Sequence, residues 1–200
     1  MILTLHPDTP QVRHLERIAE VLRRDGVIAY PTDTLFGLGC LASRKKAVDR
    51  VQQLKVRDPK KPMSMLCADM EMLSRYARHL DTPTFRVLKQ LLPGPYTVLL
   101  PASREVPRYL QNKQVVGLRI PASTFCRSLL TLLGEPIITT SVVLPGQAML
   151  NTAWELEEEL GHALDLVVDC GQPEGVPSTI LDLCGEEPEL LRQGAGRWPL

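Results

Sequence analysis

The chain has 200 residues, of which 44% are hydrophobic and 23% are charged, and its formal net charge is zero. These values are typical of a globular domain, and they exclude a largely disordered chain and a protein that binds polyanions through overall charge. No run of about 18 apolar residues occurs, and the N-terminus lacks the pattern of a secretion signal. We therefore expect one cytoplasmic domain over residues 1–200, without a membrane partner.

The predicted elements alternate between helices and strands. A first helix begins near Pro10 and ends at Gly26, and the strand "VIAY" follows it. Downstream come a helix from Ser43, the strand "MSMLC", helices over residues 69–79 and 82–92, the strands "YTVLL" and "VGLRIP", a helix over 123–133, the strand "PIITT", a helix over 154–161, and the strands "DLVVDC", "STILDL" and "ELLRQG". This order predicts an α/β sandwich around a mixed parallel and antiparallel sheet.

The chemistry-bearing residues exclude several common kinds of active site. The five cysteines are scattered, with no C-x-x-C pair, which excludes the usual zinc spacings and predicts buried thiols that pack as small hydrophobes. The four histidines lie away from the hydroxyl-rich segments described next, and neither H-E-x-x-H nor G-x-S-x-G occurs. No G-x-x-x-x-G-K-[ST] phosphate loop is present. We therefore predict neither a catalytic His or Cys nor a protein metal site.

Hydroxyl side chains recur where apolar strands end. They occur in "YPTDTLFGLG" (residues 30–39), in "TTS" (139–141) and in "PST" (177–179). In α/β sheets, ligands bind outside the carboxyl ends of strands, where hydroxyls can donate or accept hydrogen bonds. The alternative is that threonine favours strands and serine caps helices. Gly37 and Gly39 either allow the backbone to approach a ligand or simply permit a turn.

The segment "LKVRDPKKP" (54–62) is strongly basic and contains two prolines that keep it out of a helix. Cations on a stiff loop lose little entropy when they bind an anion. Arg57 can bind a phosphate with a bidentate fork, whereas a lysine acts as a point charge. The segment is therefore a candidate anion site, although a solvated basic surface remains the alternative.

Seven segments together resemble the YrdC/YciO family. They are "YPTDTLFGLG", "LKVRDPKKPMSML", "PGPYTVLL", "VGLRIP", "TTS", "PSTILDL" and "LLRQGAG", in that order, and the resemblance covers about residues 26–196. "LHPDTPQ" and "TTSVVLPG" resemble the YciO branch most. The resemblance implies a YrdC-like domain, with a twisted mixed sheet flanked by helices and a basic concave face.

The activity that the family implies is synthesis of L-threonylcarbamoyladenylate from L-threonine, bicarbonate and ATP, with Mg²⁺ accompanying the ATP, for tRNA modification. No side chain is expected to act as an acid, base or nucleophile; Lys55 and Arg57 would position the substrates and stabilise the phosphates. The motif matches imply a set of substrate-binding residues, Thr32, Thr34, Ser123, Ser141 and Ser178. They imply nucleotide binding by Lys55, Arg57, Lys61, Arg119, Thr139 and Arg192.

Two positions depart from the family pattern. Lys61 stands where many members have asparagine, and Ser141-Val142-Val143 replaces the usual S-x-N. Loss of one hydrogen-bonding partner can cost a few kcal/mol, which is about a hundredfold in binding. The departure therefore leaves open an alternative, a non-catalytic module that binds double-stranded RNA or tRNA in the same cavity. A related carbamoylation of another small amine is a third interpretation.

Overall fold

The computed structural model describes residues 1–54, 63–142 and 150–198. Its helices are α1 (Val12–Arg23), α2 (Lys45–Leu54), α3 (Met70–Tyr76), α4 (Thr82–Leu91), α5 (Thr124–Leu133) and α6 (Ala153–Leu160), with a 3-10 turn at Arg108–Leu110. Its strands are β1 (Ile2–Thr4), β2 (Ile28–Pro31), β3 (Phe36–Leu41), β4 (Ser64–Leu66), β5 (Tyr96–Pro101), β6 (Val115–Arg119), β7 (Ile137–Ser141), β8 (Leu166–Asp169), β9 (Thr179–Asp182) and β10 (Glu189–Arg192). None of the helices in these ranges is long and apolar enough to cross a membrane.

The strands form one sheet in the order β1-β8-β2-β3-β7-β4-β6-β5-β9-β10. The sheet contains both parallel pairs, such as β4 with β6, and antiparallel pairs, such as β3 with β7. The predicted α/β class with a mixed sheet flanked by helices is therefore confirmed. Two helices are shorter than expected. Helix α1 spans Val12–Arg23 and not residues 10–26, and α3 ends at Tyr76, because Ala77 turns extended and forms a bridge with Ala102.

One face of the sheet belongs to the hydrophobic core. A lateral row crosses six neighbouring strands, and all of its side chains are fully buried. The row consists of Cys40, Ile138, Met65, Leu118, Val98 and Leu181. Burial of apolar surface contributes about 25 cal/mol per Å², so this row and the helices packed on it supply much of the stability of the fold.

The next lateral row faces the opposite side, because successive residues of a strand alternate between the two faces. It consists of Gly39, Thr139, Ser64 and Gly117, on β3, β7, β4 and β6. We call these four residues the polar row. Two members lack a side chain and two carry a short hydroxyl, so the row itself contributes little side-chain bulk. Its hydroxyls can donate or accept hydrogen bonds on this face of the sheet.

Gly37 and Gly39 lie inside strand β3 rather than in a turn. A Cβ atom at Gly37 would lie 2.6 Å from the Thr139 Oγ1 atom. A Cβ atom at Gly39 would lie 2.7 Å from the Tyr30 Cε1 atom and 2.8 Å from the Ile138 carbonyl oxygen. Of the two interpretations from sequence, the turn is therefore wrong. The glycines make room for the Tyr30 ring and for the Thr139 side chain.

The cysteines are all unpaired, and four of them are buried as predicted, whereas Cys184 is exposed. Burial raises the pKa of the Cys40 and Cys126 thiols to about 12. Desolvation, and then the neighbouring Asp182 carboxylate, raise the pKa of Cys184 to about 12 as well. These thiols are therefore protonated at neutral pH.

We expect the native protein to be nearly inert to a thiol reagent such as dithionitrobenzoate at pH 7.5. At most Cys184 should react, and its rate should rise about tenfold per pH unit, because the thiolate fraction rises in that proportion below the pKa. The same reagent in denaturant should count all five thiols. Rapid reaction of two or more thiols in the native protein would contradict the burial pattern.

Candidate active site

The turn between β2 and β3 is held together by the Thr32 hydroxyl. Thr32 Oγ1 donates to the Leu35 carbonyl oxygen at 2.7 Å and accepts from the Thr34 backbone N–H at 3.1 Å. The Thr34 hydroxyl lies 3.0 Å from Thr32 Oγ1, and Thr34 is only 2% exposed. Of the two predicted threonines, Thr32 therefore organises the turn, and Thr34 holds a hydroxyl at a fixed position beside it.

Asp33, between these threonines, forms a buried ion pair with Arg119 at the end of β6. The two side chains are 9% and 7% exposed. The second carboxylate oxygen of Asp33 accepts from the Ala122 backbone N–H at 3.0 Å. This carboxylate therefore fastens the β2–β3 turn to the segment that follows β6. Within the described ranges, the buried Arg119 Nε has no hydrogen-bond partner, so this guanidinium keeps a free donor.

Arg192, on the edge strand β10, lies near Arg119. Its Nη2 and Nε atoms donate to the Ser178 carbonyl oxygen at 2.6 and 3.2 Å. Partial burial, and then the positive charge of Arg119, lower the pKa of the Arg192 guanidinium. Among the residues that the structure describes, Asp33 pairs with Arg119, and no acidic side chain pairs with Arg192. The two arginines therefore have an excess positive charge, which favours an anionic ligand.

The segment before β9 connects this cationic side to the threonine turn. The Gly175 N–H donates to the Thr34 carbonyl oxygen at 2.9 Å. Farther along the same segment, Ser178 Oγ lies 2.9 Å from the Thr97 hydroxyl on β5. These contacts link the predicted residues Thr34, Arg119, Ser178 and Arg192 into one region, bordered by the polar row.

The other predicted residues differ in how they are used. Thr139 belongs to the polar row, and Ser141 pairs with Gly37 at the exposed end of β7. Ser123 lies next to Ala122, and its hydroxyl accepts from the Cys126 N–H at 3.3 Å as the cap of α5. Three predicted phosphate ligands, Lys55, Arg57 and Lys61, lie outside the described residues, and so does Val143.

Sequence reasoning missed two residues of this region, Asp33 and Thr97. Asp33 is the one acidic residue of "YPTDTLFGLG", so its charge was a signal that a basic residue elsewhere would pair with it. Thr97 is a threonine in an otherwise apolar strand, which gave no signal because threonine favours strands. Only the placement of β5 beside β9 shows that its hydroxyl faces Ser178.

The donors present do not fit a metal ion held by the protein. Among the described residues, no group of three His, Cys, Asp or Glu side chains could hold one. Both carboxylate oxygens of Asp33 are already hydrogen-bonded, and the other groups are hydroxyls and guanidiniums.

Comparison with known proteins agrees with this architecture. Residues 20–194 match the Sua5/YciO/YrdC family model, which is described as "Telomere recombination". The chain belongs to the Sua5/YciO/YrdC family. The family recognised from the seven segments is thus confirmed. YciO of Escherichia coli (strain K12) is 34% identical over 195 residues, covering 96% of this chain and 94% of the relative. A threonylcarbamoyl-AMP synthase of Nitrosococcus oceani is 35% identical over 177 residues, covering 87% and 94%.

Solved structures of the family show the same fold. The crystal structure of E. coli YciO has a TM-score of 0.92 and 34% identity, covering 98% of this chain and 97% of that chain. Pyrococcus abyssi Sua5, crystallised in complex with L-threonine, has a TM-score of 0.89 and 29% identity. That comparison covers 97% of this chain and 57% of the longer Sua5 chain.

Proposed function

We propose that the protein synthesises L-threonylcarbamoyladenylate from L-threonine, bicarbonate and ATP, and that it does so in the cytoplasm. The observation that supports this most is the pair of arginines beside the hydroxyls of Thr34 and Ser178: Asp33 pairs with Arg119, and Arg192 is bonded to Ser178. Such a site offers cations for phosphates and hydroxyls for an amino acid. The N. oceani relative named threonylcarbamoyl-AMP synthase supports the same assignment, and so does the crystal structure of P. abyssi Sua5 in complex with L-threonine.

The proposed reaction needs alignment more than acid–base chemistry. Bicarbonate takes up a proton and loses water to give carbon dioxide; the threonine amine then takes up the carbon dioxide and releases a proton, giving a carbamate. A carbamate oxygen then forms a bond to the α-phosphorus of ATP, and the bond from that phosphorus to the pyrophosphate oxygen breaks. Pyrophosphate leaves with the electron pair. Such in-line transfer is accelerated mainly by positioning and by cations around the phosphates.

In this proposal the residues with neutral hydroxyls bind the amino acid, and the residues with positive charge bind the nucleotide. Thr34 and Ser178 hold the threonine, while Arg119 and Arg192 bind the nucleotide. Thr32 and Ser123 stabilise the loops around them through the hydrogen bonds described above, and Thr139 and Ser141 line the space between the two substrates. Lys55, Arg57 and Lys61 remain predicted phosphate ligands. Bound Mg²⁺ would neutralise part of the triphosphate charge, and the side chains named here bind and orient the substrates.

The test is direct product formation from threonine, bicarbonate and Mg-ATP, followed by mass spectrometry and by pyrophosphate release. We expect product above a blank without enzyme. Arg192→Met should lower kcat/KM by about 10- to 100-fold, because a hydrogen bond to a charged group contributes about 1.5–3 kcal/mol. Arg13→Met is the matched control, since Arg13 is exposed on α1. No product, or an unimpaired Arg192 variant, would contradict the proposal.

The second candidate is a module that binds double-stranded RNA or tRNA without turnover. The observation that favours it is Val143, which replaces the asparagine of the family's S-x-N pattern. Its affinity for RNA should fall steeply with salt, because phosphate contacts release counterions. Calorimetry separates the two functions. ATP binding that threonine strengthens favours the synthase, whereas salt-sensitive tRNA binding without ATP binding favours the module.

A further inference from the structure

The edge strand β10 contains a β-bulge directly before the arginine of the candidate site. Its residue pairs with β9 are Glu189 with Asp182, Leu190 with Leu181, and Arg192 with Ile180. Leu191 has no partner in this register, so it is the extra residue of the bulge. A bulge interrupts the alternation of side chains along a strand and can direct one of them to the other face of the sheet.

The face of Arg192 follows from its partner, because paired residues of neighbouring strands lie on the same face of a sheet. Ile180 pairs with Thr97 on β5. Two residues farther along β5, Leu99 pairs with Gly117 of the polar row. Since residues two apart in a strand share a face, Ile180 and Arg192 lie on the face of the polar row.

An unbroken strand would place the same arginine on the opposite face. Leu190, two residues before Arg192, pairs with Leu181 of the buried row on the core face. In regular pairing the partner of Arg192 would be Thr179, which shares the face of Leu181. The Thr179 hydroxyl accepts from the Gly194 N–H at 2.9 Å. Without the bulge, Arg192 would therefore lie on the side of this later segment and not on the side of the candidate site.

The contacts of Arg192 agree with its position on the face of the polar row. Its guanidinium donates to the Ser178 carbonyl oxygen at 2.6 and 3.2 Å, and Nη2 lies 3.4 Å from the Ser178 hydroxyl. Ser178 lies two residues before Ile180 and so shares its face. Partial burial, and then the charge of Arg119, lower the pKa of Arg192. Arg119 lies two residues after Gly117 on β6 and belongs to the same face.

We propose that Leu191 is a positioning residue, whose extra backbone unit turns Arg192 from the core face to the ligand face. The effect comes from the number of residues between Leu190 and Arg192, so it does not depend on the Leu191 side chain. A bulge that only protected the edge from other chains would set no condition on Arg192. That the ligand group at Arg192 is a phosphate of the nucleotide rests on the proposed function. The face of Arg192 does not, because it follows from strand pairing.

Two deletions of one residue each remove the bulge. The segment between Leu190 and Gly194 is anchored at both ends, by the pairing of Leu190 with β9 and by the hydrogen bond from the Gly194 N–H to Thr179. Deleting either Leu191 or Gln193 leaves one residue fewer between these anchors. Both variants should therefore have a regular β10 of the same length, which makes each the matched control of the other.

The two deletions differ in where they place Arg192. Without Leu191, Arg192 remains opposite Ile180 on the ligand face. Without Gln193, Leu191 comes to lie opposite Ile180, and Arg192 moves opposite Thr179. In calorimetric titrations with Mg-ATP, the variant without Leu191 should bind within about threefold of the wild type, whereas the variant without Gln193 should bind about 10- to 100-fold more weakly, as expected for a lost hydrogen bond to a charged group.

A rescue and a control complete the series. Leu191→Arg in the variant without Gln193 returns an arginine to the position opposite Ile180, and the affinity should recover to within about threefold of the wild type. Gln193→Ala tests the side-chain amide, which donates to the Gly194 carbonyl oxygen at 3.1 Å, and this variant should bind Mg-ATP as the wild type does. Equal affinities of the two deletion variants, or no recovery in the rescue, would overturn the positioning role.

Crystal structures of the two deletion variants observe the placement directly and need neither nucleotide nor activity. We expect the Arg192 guanidinium at the Ser178 carbonyl oxygen in the variant without Leu191, and away from it in the variant without Gln193. A guanidinium bonded to Ser178 in both variants would contradict the proposal. If the wild type binds no ATP, the synthase assignment fails, and these structures still decide how Arg192 is placed. Melting temperatures of all variants identify any general loss of folding.

Discussion

Replacing Asp33 with alanine is expected to lower the free energy of unfolding by about 3–5 kcal/mol, because it leaves the buried Arg119 guanidinium without its counter-charge. Arg119 and Asp33 are both less than a tenth exposed. The substitution also removes the acceptor of the Ala122 N–H. Equilibrium unfolding in urea, followed by circular dichroism, measures the effect.

The double variant Asp33→Ala with Arg119→Met separates stability from function. Removing both charges should recover much of the lost stability, because an apolar replacement of a buried ion pair is often neutral. Activity should not return, since Arg119 is proposed to bind the nucleotide.

An exposed ion pair provides the control for this cycle. Arg44 Nε lies 3.7 Å from Asp25 Oδ1, and the two side chains are 44% and 43% exposed. Asp25→Asn should change the free energy of unfolding by no more than about 1 kcal/mol, because solvent screens exposed ion pairs. Asparagine also adopts the backbone conformation of this position almost as well as aspartate does. An Asp33→Ala variant no less stable than Asp25→Asn would show that the Arg119–Asp33 pair does not bind the two loops together.

Replacing Gly39 with alanine should lower the stability by about 3 kcal/mol, at the upper end of what overpacking in a core costs. The added Cβ atom would meet the Tyr30 ring at 2.7 Å and the Ile138 carbonyl oxygen at 2.8 Å. A backbone oxygen in a sheet cannot rotate away, so the strands themselves would have to move apart.

Gly117→Ala is the matched control, because Gly117 belongs to the same polar row. Its nearest atom to an added Cβ is Ser64 Oγ at 3.3 Å, and a serine hydroxyl can adopt another rotamer. We expect its loss of stability to be below about 1 kcal/mol in the same urea titration. Equal losses at Gly39 and Gly117 would show that the contact with Tyr30 and Ile138 is not what requires glycine.

The sequence predicted the alternation of elements and the hydroxyl segments well, because both depend on local patterns. Hydrophobic periodicity marks a strand such as β7 within a few residues, and the hydroxyls at its end are visible in the letters themselves. The regular helix α4 was predicted as residues 82–92 and ends at Leu91. Such features need no knowledge of which strands are neighbours.

What could not be predicted depends on strand order. Asp33 and Arg119 are 86 residues apart, and no local pattern brings one acidic residue to one basic residue. The requirement for Gly39 arises in part from Ile138 on β7, a strand that the chain adds much later. Likewise, Thr32 and Thr34 look equivalent in sequence, yet only the fold of the turn shows that the Thr32 hydroxyl is used to hold it.

The insertion of β7 between β3 and β4 has a consequence for synthesis on the ribosome. Until residue 141 has emerged, β3 and β4 each lack a neighbouring strand, and their edges are open to pairing with other chains. The nascent protein therefore passes through a long interval in which two central edges are exposed, a condition that promotes aggregation. We expect β7 to close these two edges in a late cooperative step, and the ligand site to be complete only after Ser178 and Arg192, which follow β7 in the chain, have been added.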